Sequence, residues 1–234
     1  MHQNILDVKI MLDFDKNLEI LEENLTKDII WRKQELVNLQ NEINTKIQIN
    51  NQEVSFLIRG AVALLYAHWE GSVKSQLTSY IKFLNVLIKE QHLTLEQYDD
   101  EILDLIFQPT IKLLGQNTKE KRLKGITKFK QVYLDKNILQ ISAKDVVNTK
   151  SNLSFEVLME LFNLFNISTV NSINKTFIET LLKDRNAIAH GEKRYTIIDI
   201  ALKERIEENF LKILTLITEI KENILIKASA YKNI

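Results

Sequence analysis

The chain has 234 residues, of which 45% are hydrophobic and 26% charged, with one proline and five glycines. That composition excludes a disordered chain and is too poor in breakers for a β-sandwich or a Gly-rich phosphate loop; its wealth of Leu, Ile, Lys, Glu and Asn predicts an all-α fold. Lys plus Arg equals Asp plus Glu at 31 each, so net charge supplies no long-range pull toward nucleic acid, and the absence of cysteine excludes disulfides, zinc ribbons and thiol nucleophiles.

Asp7, Lys9, Asp13 and Asp15 interrupt the apolar run that a secretory leader needs, and no uninterrupted apolar stretch is long enough for a bilayer. The expectation is a soluble, cytoplasmic protein with no membrane partner.

Over 5–48, Leu18, Leu21, Leu25, Ile29, Leu36, Leu39, Ile43 and Ile47 recur every three or four positions, predicting a long amphipathic helix or two joined in line. A second long helix is predicted over 53–91. Its Phe56, Leu57, Gly60, Ala63, Leu64, Ala67 and Val73 form a narrow face suited to close helix approach, and Arg59, Tyr66 and Glu70 share a polar edge. A shorter helical region spans 94–114, where Thr94 and Gln97 have capping-box spacing and Pro109 should break or restart the helix.

From 115 to 152 the periodicity weakens. An irregular insert is expected there, with at most a short helix or hairpin. It is basic: Lys119, Lys121, Arg122, Lys124, Lys128 and Lys130 stand against Glu120. The plain reading is a solvated face; the functional one is a phosphate-contact surface for RNA, centred on Lys121, Arg122, Lys124 and Lys128. Ser154 should cap a helix over 155–165 whose aromatics belong to the core. After a polar link, Ser172 should cap a helix over 173–189, and Thr196 or Asp199 should start a last helix with a long Ile and Leu stripe. No repeat and no clean boundary divides the chain, so a single domain over 1–234 is expected, with an insert at about 115–152.

The end of the 173–189 helix concentrates chemistry. Asp184-Arg185-Asn186-Ala187-Ile188-Ala189-His190-Gly191-Glu192 places an arginine, an amide and a histidine before a glycine stop. Five helical positions put Arg185 and His190 about 140° apart around the axis, too far to meet on one face. Either the helix ends and lets His190 swing, or two copies pair so that each site draws on both chains. A histidine that moves a proton beside an always-charged arginine suits RNA cleavage without a metal, with Asn186 orienting the 2′-hydroxyl, a water or the imidazole. The plainer alternative has Arg185 paired with Asp184 or Glu192 and His190 as a mere cap.

Arg185 to His190 resembles the R-x4-6-H signature of the HEPN superfamily, with the polar residue after arginine that active members usually carry. Arg59 to Gly71, with Tyr66, Trp69-Glu70-Gly71 and Lys74, resembles the second-helix motif of a prokaryotic HEPN branch found in defence and toxin operons. The resemblance covers about 50–92 and 150–230. It implies an up-and-down helical bundle, usually a homodimer, whose paired motifs form an endoribonuclease cleft that needs no metal or other cofactor. By that likeness Arg185 and His190 carry catalysis, Asn186 assists, and Tyr66, His68 and Glu70 are candidates for the cleft wall. The implied partners are RNA, a second copy, and a cognate antitoxin or defence-operon protein. A HEPN-like module that binds nucleotide, RNA or protein without cutting is the alternative.

Overall fold

The computed structural model describes residues 2–48, 54–91, 98–134, 139–168, 170–192, 195 and 200–233. Among these residues the chain is all-helical: α1 (His2–Gln48), α2 (Val54–Gln91), α3 (Asp100–Leu114), α4 (Lys119–Leu134), α5 (Ala143–Val146), α6 (Phe155–Leu164), α7 (Lys175–Ala189), α8 (Ile200–Ala230) and a closing 3₁₀ turn, Tyr231–Asn233.

Helix α2 is the axis of the bundle, with α1, α7 and α8 packed around it. Ile58, Leu65, Trp69, Val73, Leu77, Tyr80 and Leu84 line one buried face of α2, and Ala61, His68 and Ile81 are buried to either side of that face. By contrast α1, over the side chains described in it, buries a narrow seam, with Phe14, Leu21, Leu25, Leu36 and Ile43 at heptad-like intervals. The stripe expected on α8 is present: Ile206, Phe210, Ile213, Ile217, Ile220 and Ile224 are all buried. Leu158, Phe162 and Phe165 of the α6 region join the same core.

A polar cluster lies inside the α1–α2–α8 packing. Arg32 occupies the apolar seam of α1 and is buried. Its Nε donates to Asp28 Oδ2 at 2.8 Å and its NH2 to Asp28 Oδ1 at 3.0 Å, a bidentate pair. NH1 donates to the His68 carbonyl at 3.3 Å. Ser72 Oγ donates to Asp28 Oδ2 at 3.1 Å, and Gln76 Nε2 donates to Ser72 Oγ and to the Ile217 carbonyl, each at 3.0 Å. Gly71 makes room for this: a Cβ there would stand 3.0 Å from Arg32 NH1.

Several expectations need correction. The small-residue face of α2 does not mediate close approach within one chain, because Phe56, Gly60 and Ala67 are exposed and a Cβ at Gly60 would meet nothing within 4 Å. The third helix begins at Asp100, and Thr94 and Gln97 lie outside the described residues. Pro109 sits inside α3 without ending it. Packing on both sides of the proline, at Leu105, Ile106 and Thr110 and again at Leu113 and Leu114 against Gly125, outweighs the lost backbone bond. The stretch from 115 to 152 is not largely irregular, since it forms α4 and the short α5. The periodic signal is weak there because α4 buries only Gly125 and Val132. Asn85 stitches the following segment to α2, accepting from Ile141 N at 2.8 Å and donating to Ile141 O at 3.0 Å.

Ser154 does cap α6, accepting from Val157 N at 3.2 Å. The cap of α7 is Asn174, which accepts from Phe177 N at 3.0 Å, while Ser172 Oγ instead donates to Glu219 at 2.7 Å. Thr196 and Asp199 fall outside the described residues.

His68 is 2% exposed. Burial lowers its pKa below the usual 6.5, Arg32 adding to the effect while Glu35 and Asp28 oppose it. The unfolded chain therefore takes up a proton more readily than the folded one, and this group's contribution to stability falls as pH drops through about 6.5. Chemical-denaturation midpoints measured from pH 7 to pH 5 should fall more steeply for the wild type than for His68→Phe. In the same titrations at neutral pH, Asp28→Ala should cost about 3–5 kcal/mol, because it strands a buried guanidinium.

Candidate functional site

Helix α7 buries Ile178, Leu181 and Leu182 and carries Arg185 and Asn186, half-buried, into its last turn. His190 is the C-cap residue and is exposed. Glu192 N donates to Ala187 O at 2.8 Å and Gly191 N to Ile188 O at 3.1 Å, the paired bonds of a Schellman ending. Gly191 takes the left-handed conformation this requires, with φ of 74°. The expected glycine stop is present, and it fixes the backbone at His190.

Arg185 leans toward α2. Its guanidinium lies 4.1 Å from the centre of the Tyr66 ring, a cation–π contact, and its NH2 donates to Asn152 Oδ1 at 2.7 Å. Its Nε is shielded from solvent and has no hydrogen-bond partner. The buried Tyr66 hydroxyl accepts from Leu153 N at 2.6 Å. Burial raises the Tyr66 pKa, against the lowering effect of Arg185, so the phenol stays protonated at neutral pH.

Beside it, Glu70 Oε1 accepts from Thr149 Oγ1 at 2.6 Å and from Lys74 Nζ at 2.7 Å. Burial would raise the Glu70 pKa, but Lys74, Thr149 and the Tyr66 hydroxyl together outweigh it and hold the carboxyl below its ordinary value. Thus Tyr66 and Glu70 do share an edge of α2 and both hold the 149–153 segment.

That segment is a tight turn. Asn152 N donates to Thr149 O at 3.0 Å, and both central residues have positive φ, 53° at Lys150 and 63° at Ser151, as in a type I′ turn. Neither is glycine, so the backbone is strained. Its carboxamide, on Asn152, is what holds Arg185.

His190 and Asn186 face another way. With Glu179, Leu182, Lys183, Ala187 and Glu192 they line an open depression of about 370 Å³. Asn186 and His190 are one turn apart and share this face, as the helix period requires. Arg185 is not among its lining residues. Within one chain the structure therefore joins Asn186 to His190 and Arg185 to Tyr66, and it does not bring Arg185 and His190 together. Lys183 is the cation of the depression.

The other candidates divide. His68 is not beside Tyr66 and Glu70: two positions along the helix turn it toward α1. There Nδ1 lies 3.4 Å from Arg32 NH1, Nε2 lies 2.9 Å from Glu35 Oε2, and the ring tilts against Trp31 at 5.2 Å. Trp69 is fully buried in the core. Lys121, Arg122, Lys124 and Lys128 lie on α4, whose packing partner is α3. Three already have local contacts: Lys121 Nζ to Gln116 at 3.4 Å, Arg122 NH1 to Asn117 O at 3.2 Å and Lys124 to Glu120 at 2.7 Å. Lys128 lies 4.0 Å from Asp145. Among the described residues no group of three or more His, Asp or Glu side chains is placed to hold a metal ion, and no helix is long and apolar enough to cross a membrane.

Sequence reasoning missed Asn152, Thr149 and Lys183. The run Asn148-Thr149-Lys150-Ser151-Asn152 carries a turn signal, but nothing in it reveals that the turn docks on Arg185.

A family model described as RiboL-PSP-HEPN matches residues 27–225. No curated protein and no solved structure matches the chain.

The two left-handed positions at the site, one a glycine and one not, should respond oppositely to substitution. A Cβ at Gly191 would meet nothing within 4 Å, so the cost of Gly191→Ala is conformational. It should lower the unfolding free energy by about 1 kcal/mol. Ser151→Gly should raise it by about 1 kcal/mol by relieving the left-handed backbone. Urea titrations of the two variants check both signs.

Proposed function

The chain belongs to the RiboL-PSP-HEPN family, and from that premise we propose that it is an endoribonuclease of the HEPN type, with Arg185, Asn186 and His190 as its reacting groups. The observation that carries this reading is the end of α7, where a fixed guanidinium and an exposed imidazole with a neighbouring amide occupy adjoining faces. In the proposed reaction the 2′-hydroxyl of one nucleotide attacks its own 3′-phosphorus. The bond from phosphorus to the next 5′-oxygen breaks, leaving a 2′,3′-cyclic phosphate and a 5′-hydroxyl end. His190 takes the 2′-hydroxyl proton or protonates the departing 5′-oxygen, and Arg185 stabilises the charge gathering on the phosphoryl oxygens. Asn186, on the face of His190, orients the imidazole or the attacking hydroxyl.

Because Arg185 and His190 diverge within one chain, the site is completed in a homodimer, Arg185 of one subunit meeting His190 of the other across a twofold axis. Lys183 then adds a second cation for the RNA backbone. A cytoplasmic toxin–antitoxin or antiviral setting fits such an activity. The same divergence also favours a second reading, a module whose depression binds RNA, nucleotide or a partner protein and cuts nothing.

Arg185→Ala and His190→Ala should each slow RNA cleavage in EDTA by about 100-fold or more, with unchanged circular dichroism. Mixed Arg185→Ala/His190→Ala dimers should regain activity, because one of their two shared sites is intact. Wild-type rates in both single variants would remove the nuclease assignment. Inactive mixed dimers would place each site within one chain.

A further inference from the structure

Helix α4 is exposed on most of its surface, and its apolar residues point the wrong way for a helix that only packs on its own core. Gly125 and Val132 are its buried residues. Leu123, Ile126, Phe129, Tyr133 and Leu134 are between 46% and 67% exposed. At about 100° per residue, Leu123, Ile126, Tyr133 and Leu134 fall within one sector of about 100°, roughly opposite Lys124 and Lys128. Phe129 lies at the edge of that sector, 5.3 Å from Phe107 of α3 and stacked on Tyr133 at 6.2 Å, so the apolar surface continues onto the hairpin partner. Ile111 and Leu114 of α3 are exposed as well. An exposed face of this kind, apolar side chains with lysines set among them, marks an interaction surface.

The charges say what would cover it. Lys119 and Lys130 fall inside the apolar sector and Arg122 at its rim, while Lys121, Lys124 and Lys128 line the opposite flank. A second copy of this face would set like charges against each other in an apolar contact. Acyl chains would gain from Leu123 and Ile126 but would have to accept ammonium groups in the middle of the sector. RNA would satisfy the cations and stack on Tyr133, yet would leave Leu123, Ile126 and Leu134 without an apolar partner. An amphipathic helix with leucine-like anchors and interspersed carboxylates satisfies both sets of groups at once.

We propose that the outer face of α4 is a docking site for an acidic amphipathic helix of a partner protein. Leu123, Ile126 and Tyr133 receive its apolar side chains, and Arg122 and Lys130 pair with its carboxylates. The site stands apart from the end of α7 and does not depend on the nuclease reading.

The probe is a fluorescein-labelled synthetic peptide of Leu and Glu patterned as an amphipathic helix, titrated with the full chain and read by anisotropy. A Leu/Lys peptide of the same pattern is the control. The Leu/Glu peptide should bind, and Leu123→Ser with Ile126→Ser should weaken binding by about tenfold or more. Arg122→Glu with Lys130→Glu should exchange preference toward the Leu/Lys peptide. All these positions are exposed, and circular dichroism checks the fold. Three results would overturn the proposal: no binding of the Leu/Glu peptide, equal binding by the variants, or displacement of the peptide by a uridine oligonucleotide or phosphatidylserine vesicles. A change from dimer to monomer in the serine variants would assign the face to a second copy and overturn it too.

Discussion

Helix α2 has to lie inside the bundle and still hold polar side chains on two separate faces. Tyr66 and Glu70 look toward α7 and the 149–153 turn, whereas Ser72 and Gln76, with the His68 ring, look toward α1 and α8. The helical period separates the two sets, and each is costly to bury unless satisfied. On one face the solution is Arg32, borrowed from the apolar seam of α1 and neutralised by Asp28. On the other it is a reverse turn whose backbone and side chains meet Tyr66 and Glu70 one for one. The placement of the candidate site follows from this arrangement, because the turn that satisfies α2 also holds Arg185.

Arg185 is thereby unusually constrained for an arginine near the end of a helix. A ring beneath the guanidinium and a carboxamide at its rim fix the plane of the fork, and less rotamer freedom remains to be lost when an anion arrives. His190 is fixed by different means, through the backbone of the Schellman ending, and its ring stays in solvent. One group is set by tertiary contacts and the other by local chain geometry, and the helical period, about 140° over five positions, already points them apart. The left-handed pair at Lys150 and Ser151 belongs to the same scheme: strain persists where surrounding bonds over-determine it, here those of Glu70, Tyr66 and Arg185.

Much of this was readable from residue order. The glycine stop after His190, the Ser154 cap, the α8 stripe and the common edge of Tyr66 and Glu70 all follow from local rules that the fold does not override. What escaped depends on neighbours distant in sequence. Arg32 falls in the heptad register between Leu25 and Leu36, and a charge at such a position was the one sign that α1 carries a buried pair. The resemblance groups His68 with Tyr66 and Glu70 in a cleft wall, yet the helix period sends it to the other face. Asn174, not Ser172, caps α7 because Glu219 of α8 claims the serine. Helix α4 was hidden because periodicity detects a helix by its buried stripe, and this one buries almost nothing.

At Gly125 α4 lies close against α3: a Cβ there would lie 3.1 Å from the Leu113 and Leu114 side chains. Contact that tight leaves no room for a side chain at this crossing of the two helices. Both arms of this hairpin reach α5: Lys112 Nζ of α3 donates to the Asp145 carbonyl at 2.6 Å, and Lys128 of α4 lies near the Asp145 carboxylate. The chain leaving α5 runs directly into the turn that grips Arg185. The α3–α4 hairpin and the turn that holds Arg185 are thus neighbours along the chain, joined through the four residues of α5.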